Sequence, residues 1–242
     1  MTGYVLCATP RSGSTLLCGL LRSSSVAGYP ESWFRAQNRA DWAREWGILR
    51  EDGGCDWGDY LRAAVAAGTA GTGVFGLRLM WNMLAELVAD QGGAAPGKQA
   101  ALLAETFGPL RFVYLHRRDL VAQAISRHRA EASGTWHLGN EAALHPTEAR
   151  YDFVRIMGYL REAEADNAAW EAWFAANGLA PLRVVYEDLA EAPQATALRV
   201  LADLGLRLPK ERSLYAANRR MADAVSADWA ARFRAEAGIS PG

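Results

Sequence analysis

The chain has 242 residues, half of them hydrophobic, with 26 Lys and Arg against 27 Asp and Glu and a formal net charge of −1. That length and apolar content suit one substantial core, so residues 1–242 are expected to form a single domain, and the near-neutral charge argues against a nucleic-acid binder. Cys7, Cys18 and Cys55 form no C-x-x-C pair and share no metal-ligand spacing with the four histidines, which excludes a disulfide framework and a structural zinc. With no charged leader followed by an apolar stretch, and no run of about 18 apolar residues, a cytoplasmic protein without a transmembrane segment is expected.

The first element is the most informative. Tyr4 to Leu17 reads YVLCATPRSGSTLL, a short apolar strand, a Ser/Gly/Arg turn and an apolar run with helical spacing. The first N–H groups of a helix lack intrahelical partners and carry the positive end of the dipole, so an anion docks there. Ser12, Gly13, Ser14 and Thr15 supply N–H groups and hydroxyls, and Arg11 adds a planar, permanently charged fork suited to oxyanions. Phosphate or phosphosulfate is the expected guest. One glycine and no lysine exclude a Walker A loop; an ordinary βα turn with a Ser or Thr cap is the plainer alternative.

After a helix to about Arg22, residues 26–30 read as extended, and Pro30 places Glu31 on a loop or at a helix start. Helices are expected near 38–47 and 57–67, a second strand at Gly73–Leu79, and helices at about 81–89 and 98–107. Arg111–His116 is a buried-strand pattern that runs into Arg117-Arg118-Asp119 and a helix of about 119–131. A polar stretch from about Ala132 to Pro146 precedes a long helix or helix pair at 147–177, a fourth strand at Leu182–Tyr186 and closing helices. Strands alternating with helices imply an α/β fold, a central parallel sheet flanked by helices, with ligands outside the strands' carboxyl ends.

Downstream of the third strand, HRRDLVAQAISRHRA sets Arg117 and Arg118 at a strand end and Ser126 two helical turns further on. These are oxyanion-binding side chains in a second βα crossover. Asp119 is read as the cap of the following helix and the orienter of an arginine. Trp33, Trp42, Trp46, Trp57 and Trp81 are read mostly as packing.

Taken in order, ATPRSGSTLL (8–17), Gly28 to Phe34, Gly76 to Asn82, LHRRDLVAQAIS with Trp136 beyond it, and RMADAVSADWAARFRAE (220–236) resemble the sulfotransferases, and more narrowly the Stf0 family. The resemblance implies the P-loop-like sulfotransferase fold, 3′-phosphoadenosine 5′-phosphosulfate as co-substrate, no metal, an alcohol acceptor on a sugar or glycolipid, and a homodimer. Arg11 would hold the 5′-phosphate and bridging oxygen, with Ser12, Gly13, Ser14 and Thr15 completing the cradle. Arg117 or Arg118, with Ser126, would hold the 3′-phosphate; the family pattern favours the first, and Arg220 is a further candidate.

Sulfuryl transfer needs a base for the acceptor hydroxyl. In the family it is a glutamate after the first helix; here that position holds Ser32 and Glu31 stands one residue earlier, so Glu31 is taken as the base. His116 is the next candidate, and His128, His137 and His145 have weaker claims. Trp33, Trp81 and Arg78 are expected toward the acceptor, with an ordinary ion pair the alternative for Arg78. A P-loop-type nucleotide kinase, or a non-catalytic nucleotide- or anion-binding module, would share the first loop.

Overall fold

In the computed structural model, which describes residues 2–133, 149–216 and 224–239, four parallel strands form one sheet in the order β2-β1-β3-β4. They are β1 (Thr2–Ala8), β2 (Val74–Met80), β3 (Leu110–His116) and β4 (Leu182–Val185). Ten α-helices are described: α1 (Ser14–Ser23), α2 (Arg39–Glu45), α3 (Trp57–Thr69), α4 (Trp81–Asp90), α5 (Gln99–Phe107), α6 (Leu120–Ser133), α7 (Phe153–Ala176), α8 (Tyr186–Glu191), α9 (Pro193–Asp203) and α10 (Ala224–Ala237).

β1 is apolar on both faces because both are covered: Tyr4 to Ala8 have no exposed surface. The two-residue period of a strand divides the core in two. Val5 and Cys7 join Leu77, Tyr114, Trp33, Phe107, Trp170 and Phe174 on one face; Tyr4 and Leu6 join Leu17, Leu21, Val113, Leu115 and Val200 on the other. A third cluster, Val121, Ile125, Ile156, Leu160, Trp229 and Phe233, holds α6, α7 and α10 together.

Register brings the carboxyl ends into line: Ala8 pairs with Met80 and Leu115, and His116 with Val185. The chains leaving β1, β2, β3 and β4 therefore emerge along one edge. β4 stops one residue short of the expected Tyr186, which begins α8 instead. There Glu187 and Asp188 occupy the first helical turn, where the dipole favours carboxylates.

The 26–30 stretch forms no strand. Gly28 has φ of 66°, and a Cβ there would come within 2.2 Å of the Val74 carbonyl oxygen and 2.5 Å of that of Gly68, so only glycine passes. Tyr29 N–H then donates to Gly68 O at 2.7 Å, and Glu31 forms a single parallel bridge to Leu77, with Arg78 N–H donating to Glu31 O at 3.0 Å. This crossing sets Glu31 against β2, near the sheet's carboxyl edge. Among the described residues no helix is long and apolar enough to cross a membrane.

Candidate active site

The loop after β1 is closed by its own hydroxyl. Ser12 N–H and Oγ–H both donate to Thr9 O, at 3.2 and 2.8 Å, and Ser12 is fully buried. Ser12, expected in the anion cradle, thus turns both of its donors inward and shapes the loop. Arg11 and Gly13 adopt left-handed backbone, φ 65° and 92°, reversing the chain so that α1 begins at Ser14. No acidic residue stands in its first turn, and the N–H groups of Ser14, Thr15 and Leu16 have no intrahelical acceptor. Gly13 is required on a second ground: a Cβ there would lie 2.4 Å from the ring of Tyr186.

The second arginine motif closes on this loop. Arg11 Nε–H donates to Ser126 Oγ at 3.1 Å across 115 residues of sequence. Arg117 lies with its guanidinium 4.4 Å from the centre of the Tyr186 ring and its Nε 3.6 Å from Glu187 Oε1. Burial lowers the pKa of Arg11, the charge of Arg117 lowers it further, and Tyr186 opposes both. Two cations gathered at one sheet edge make a place where an anion relieves repulsion.

The adjacent arginines part company here. The side chain of Arg117 is 13% exposed, whereas that of Arg118 is 60% exposed and donates to Asp188 Oδ1 at 2.6 Å. Glu187 fixes the turn between them, accepting from the N–H groups of Arg118 and Asp119 at 3.1 and 3.3 Å. Asp119 caps α6 through Ala122 N–H at 2.9 Å and takes Arg234 of α10 on both oxygens at 2.8 Å.

Gln123, which motif reading did not single out, ties α6 to the β1 loop. It is 1% exposed, and its Nε2 donates to Thr9 Oγ1 at 2.9 Å and to Pro10 O at 2.7 Å. One α6 amide thereby pins the loop of β1 at a fixed distance from Ser126, one turn along. A lone glutamine in the otherwise apolar LVAQAI turn was the available signal. The Tyr-Glu-Asp run at the end of β4 was the signal for Tyr186 and Glu187.

On the β2 side, Arg78 gathers the expected base, Glu31, with Ser32 and with Thr15 of the anion loop. Its Nη2 pairs with Glu31 Oε1, its Nε–H donates to Ser32 Oγ at 2.9 Å and its Nη1–H to Thr15 Oγ1 at 3.2 Å. Glu31 Oε1 also accepts Ser32 N–H at 2.7 Å. The Arg78 side chain is 12% exposed against 28% for Glu31, so the carboxylate is the more accessible partner. Beneath them, burial pushes the Cys18 thiol up to about 12, with Arg78 and Glu31 acting on it in opposite senses.

Trp33 departs from expectation. It is 2% exposed, its Nε1–H donates to Tyr29 O at 3.1 Å, and its ring packs on Trp42 and Trp46 at 4.9 and 5.9 Å. No ring face is left for an acceptor, and Trp33 is a core residue. Trp81 is half-buried at the end of β2, edge-on to Trp170 at 5.2 Å. His116 stacks on Tyr114 at 5.3 Å, and burial and then Arg183 lower its pKa. His128 is buried, with Nε2 donating to Arg150 O at 2.7 Å. Arg220, Trp136, His137 and His145 lie outside the described residues.

Residues 3–236 match the Stf0 sulphotransferase family model. The chain belongs to the Stf0 sulphotransferase family. This Stf0 chain is 31% identical to trehalose 2-sulfotransferase of Mycobacterium tuberculosis over 97% of its own length and 95% of that protein. It is 30% identical to trehalose 2-sulfotransferase of Mycolicibacterium smegmatis over 98% and 96%. Solved sulfotransferases share the fold at 14% identity. One from Alicyclobacillus acidocaldarius superposes with a TM-score of 0.51 over 100% of this chain and 97% of its own. The sulfotransferase domain of the curacin biosynthetic pathway gives 0.51 over 100% and 99%. Membership of the family makes the chain a sulfotransferase and sets aside the nucleotide kinase.

Proposed function

We propose that this Stf0 enzyme transfers a sulfuryl group from 3′-phosphoadenosine 5′-phosphosulfate to a sugar hydroxyl, with trehalose the first acceptor to try. The observation that carries this is the Arg11–Ser126 contact beside Arg117, which joins the anion loop of β1 to the arginine end of β3. A donor with phosphate at both its 5′ and 3′ ends matches two cationic positions at adjacent strand ends. The names of the two trehalose 2-sulfotransferases support the sugar.

The donor brings the activated sulfuryl group. Arg11 and the N–H groups of Gly13, Ser14 and Thr15 would hold the 5′-phosphate, whose oxygen keeps the bonding pair when its bond to sulfur breaks. Arg117, with Ser126, would hold the 3′-phosphate; Arg118, spent on Asp188 at the surface, is relieved of that role. Donors fixed in place before charge develops need no reorganisation during the reaction.

As the new S–O bond forms, the acceptor hydroxyl proton passes to Glu31. Its Oε2 has no hydrogen-bond partner among the described residues, while Oε1 is held by Arg78 and Ser32 N–H. His116, the other basic group at the strand ends, sits among Tyr114, Arg183 and Glu187, on the β3–β4 side. Trp81 remains a candidate for the sugar face.

The test is turnover: the enzyme with the phosphosulfate donor and a panel of sugars, trehalose first, read by mass spectrometry for one added sulfuryl group. A sulfated sugar whose formation is lost in Glu31→Gln supports the assignment. Tight binding of 3′-phosphoadenosine 5′-phosphate without turnover on any sugar would leave only a nucleotide-binding module.

A further inference from the structure

A carboxylate placed to take the acceptor proton stands close to the site proposed for the donor's charged end, and two anions at short range repel. The structure contains a side chain that spans both. Arg78 leaves β2 at the carboxyl edge, and one guanidinium holds Glu31 Oε1, Ser32 Oγ and Thr15 Oγ1. Thr15 belongs to the first turn of α1, so only the width of a guanidinium separates the carboxylate from the anion loop.

We propose that Arg78 is a positioning residue whose charge cancels that of Glu31, allowing the carboxylate to stand beside the anion loop without repelling the donor. The family position for the glutamate holds Ser32 here, and Ser32 serves instead as an acceptor for Arg78 Nε–H, completing the clamp. Arg78 thereby acts on the donor through Glu31 and is removed from the set of acceptor-binding residues. The inference rests on the donor assignment above.

The test needs no acceptor. 3′-Phosphoadenosine 5′-phosphate is titrated calorimetrically into wild type, Arg78→Lys, Arg78→Gln, Glu31→Gln and the double variant Arg78→Gln/Glu31→Gln, with folding checked by circular dichroism. Arg78→Gln exposes the Glu31 charge and is expected to weaken binding by roughly 10-fold, while Arg78→Lys keeps the charge and stays within about 3-fold of wild type. Glu31→Gln alone binds as tightly as wild type or more tightly.

The double variant decides the point. Restored to within about 3-fold of wild type, it supports charge cancellation, because a merely structural loss is not repaired by a second substitution. Binding as weak as in Arg78→Gln overturns the proposal, as does wild-type affinity in Arg78→Gln or Gln-like weakness in Arg78→Lys. If Arg78→Gln does not fold, Arg78→Lys and the double variant still decide. Silence in wild type and all variants alike would sink the donor assignment instead.

Discussion

Arg11 and Arg117 follow the carboxyl ends of β1 and β3, Ser126 meets Arg11 from α6, and each lies beside a neighbour that fixes its segment. Gln123 pins the β1 loop, Tyr186 fills the space beside Gly13, and Glu187 holds the turn of Arg117 and Arg118. Glu31 and Ser32 instead lie on a segment without regular structure between α1 and α2, tied to β2 by one bridge and one arginine. The anion side is thus built on strand ends and the helix packed beside them, with β1 and β3 held at ladder spacing. Glu31 and Ser32 sit on a loop, where a change of sequence disturbs the sheet least.

The largest effect that sharpens this contrast is on stability. Trp33 has its ring packed against Trp42 and Trp46 in the core. Trp33→Ala should cost about 3–5 kcal/mol in urea unfolding. An acceptor platform would instead raise the acceptor KM and leave unfolding unchanged. Arg11→Ala should slow single-turnover transfer by roughly 10²–10³-fold, the range for losing a preorganised donor to a developing oxyanion.

The two adjacent arginines provide the next test. Arg117→Ala should weaken binding of 3′-phosphoadenosine 5′-phosphate by roughly 10–100-fold while changing that of 5′-AMP little, since a charged hydrogen bond is worth about 1.5–3 kcal/mol. Arg118→Ala should change either by no more than about 2-fold, as expected for a surface pair. Equal losses in the two variants would break the assignment. Gln123→Leu should have a smaller effect than Arg117→Ala: the loop of β1 loses its two side-chain tethers, and donor affinity should fall by roughly 5-fold, about 1 kcal/mol.

The strands and loops that carry the candidate anion site were largely legible in the chain. β1 and β3 are apolar runs ending in Arg-bearing turns, and the left-handed glycine and the helix start that follow β1 are local features. The contact of Arg11 with Ser126, 115 residues away, was not expected: the family resemblance gave the two residues to different phosphates. Gln123 and Tyr186 escaped notice because their roles exist only across the sheet, once β1, β3 and β4 are side by side. Tyr186 was placed in a strand because VVY continues the β pattern, yet the ladder to β3 ends at Val185 and two acidic residues open a helix.

The acceptor side was less legible for a related reason. An indole serves equally as core filler or sugar platform, and the choice at Trp33 depends on Tyr29, Trp42 and Trp46, which fold over it from both sides in sequence. Arg78 forms an ion pair with Glu31 and also reaches the anion loop at Thr15. No local pattern carries that, because Thr15, Glu31 and Arg78 come from three separate segments.

The measurement closest to the centre of this picture is calorimetric titration of the wild-type enzyme, without added metal, with 3′-phosphoadenosine 5′-phosphate beside 5′-AMP, ATP and magnesium-ATP. Two cationic strand ends matched to two phosphates predict tight binding of the first ligand, lost when the 3′-phosphate is absent. Equal affinity for 5′-AMP, or a preference for magnesium-ATP, would contradict it.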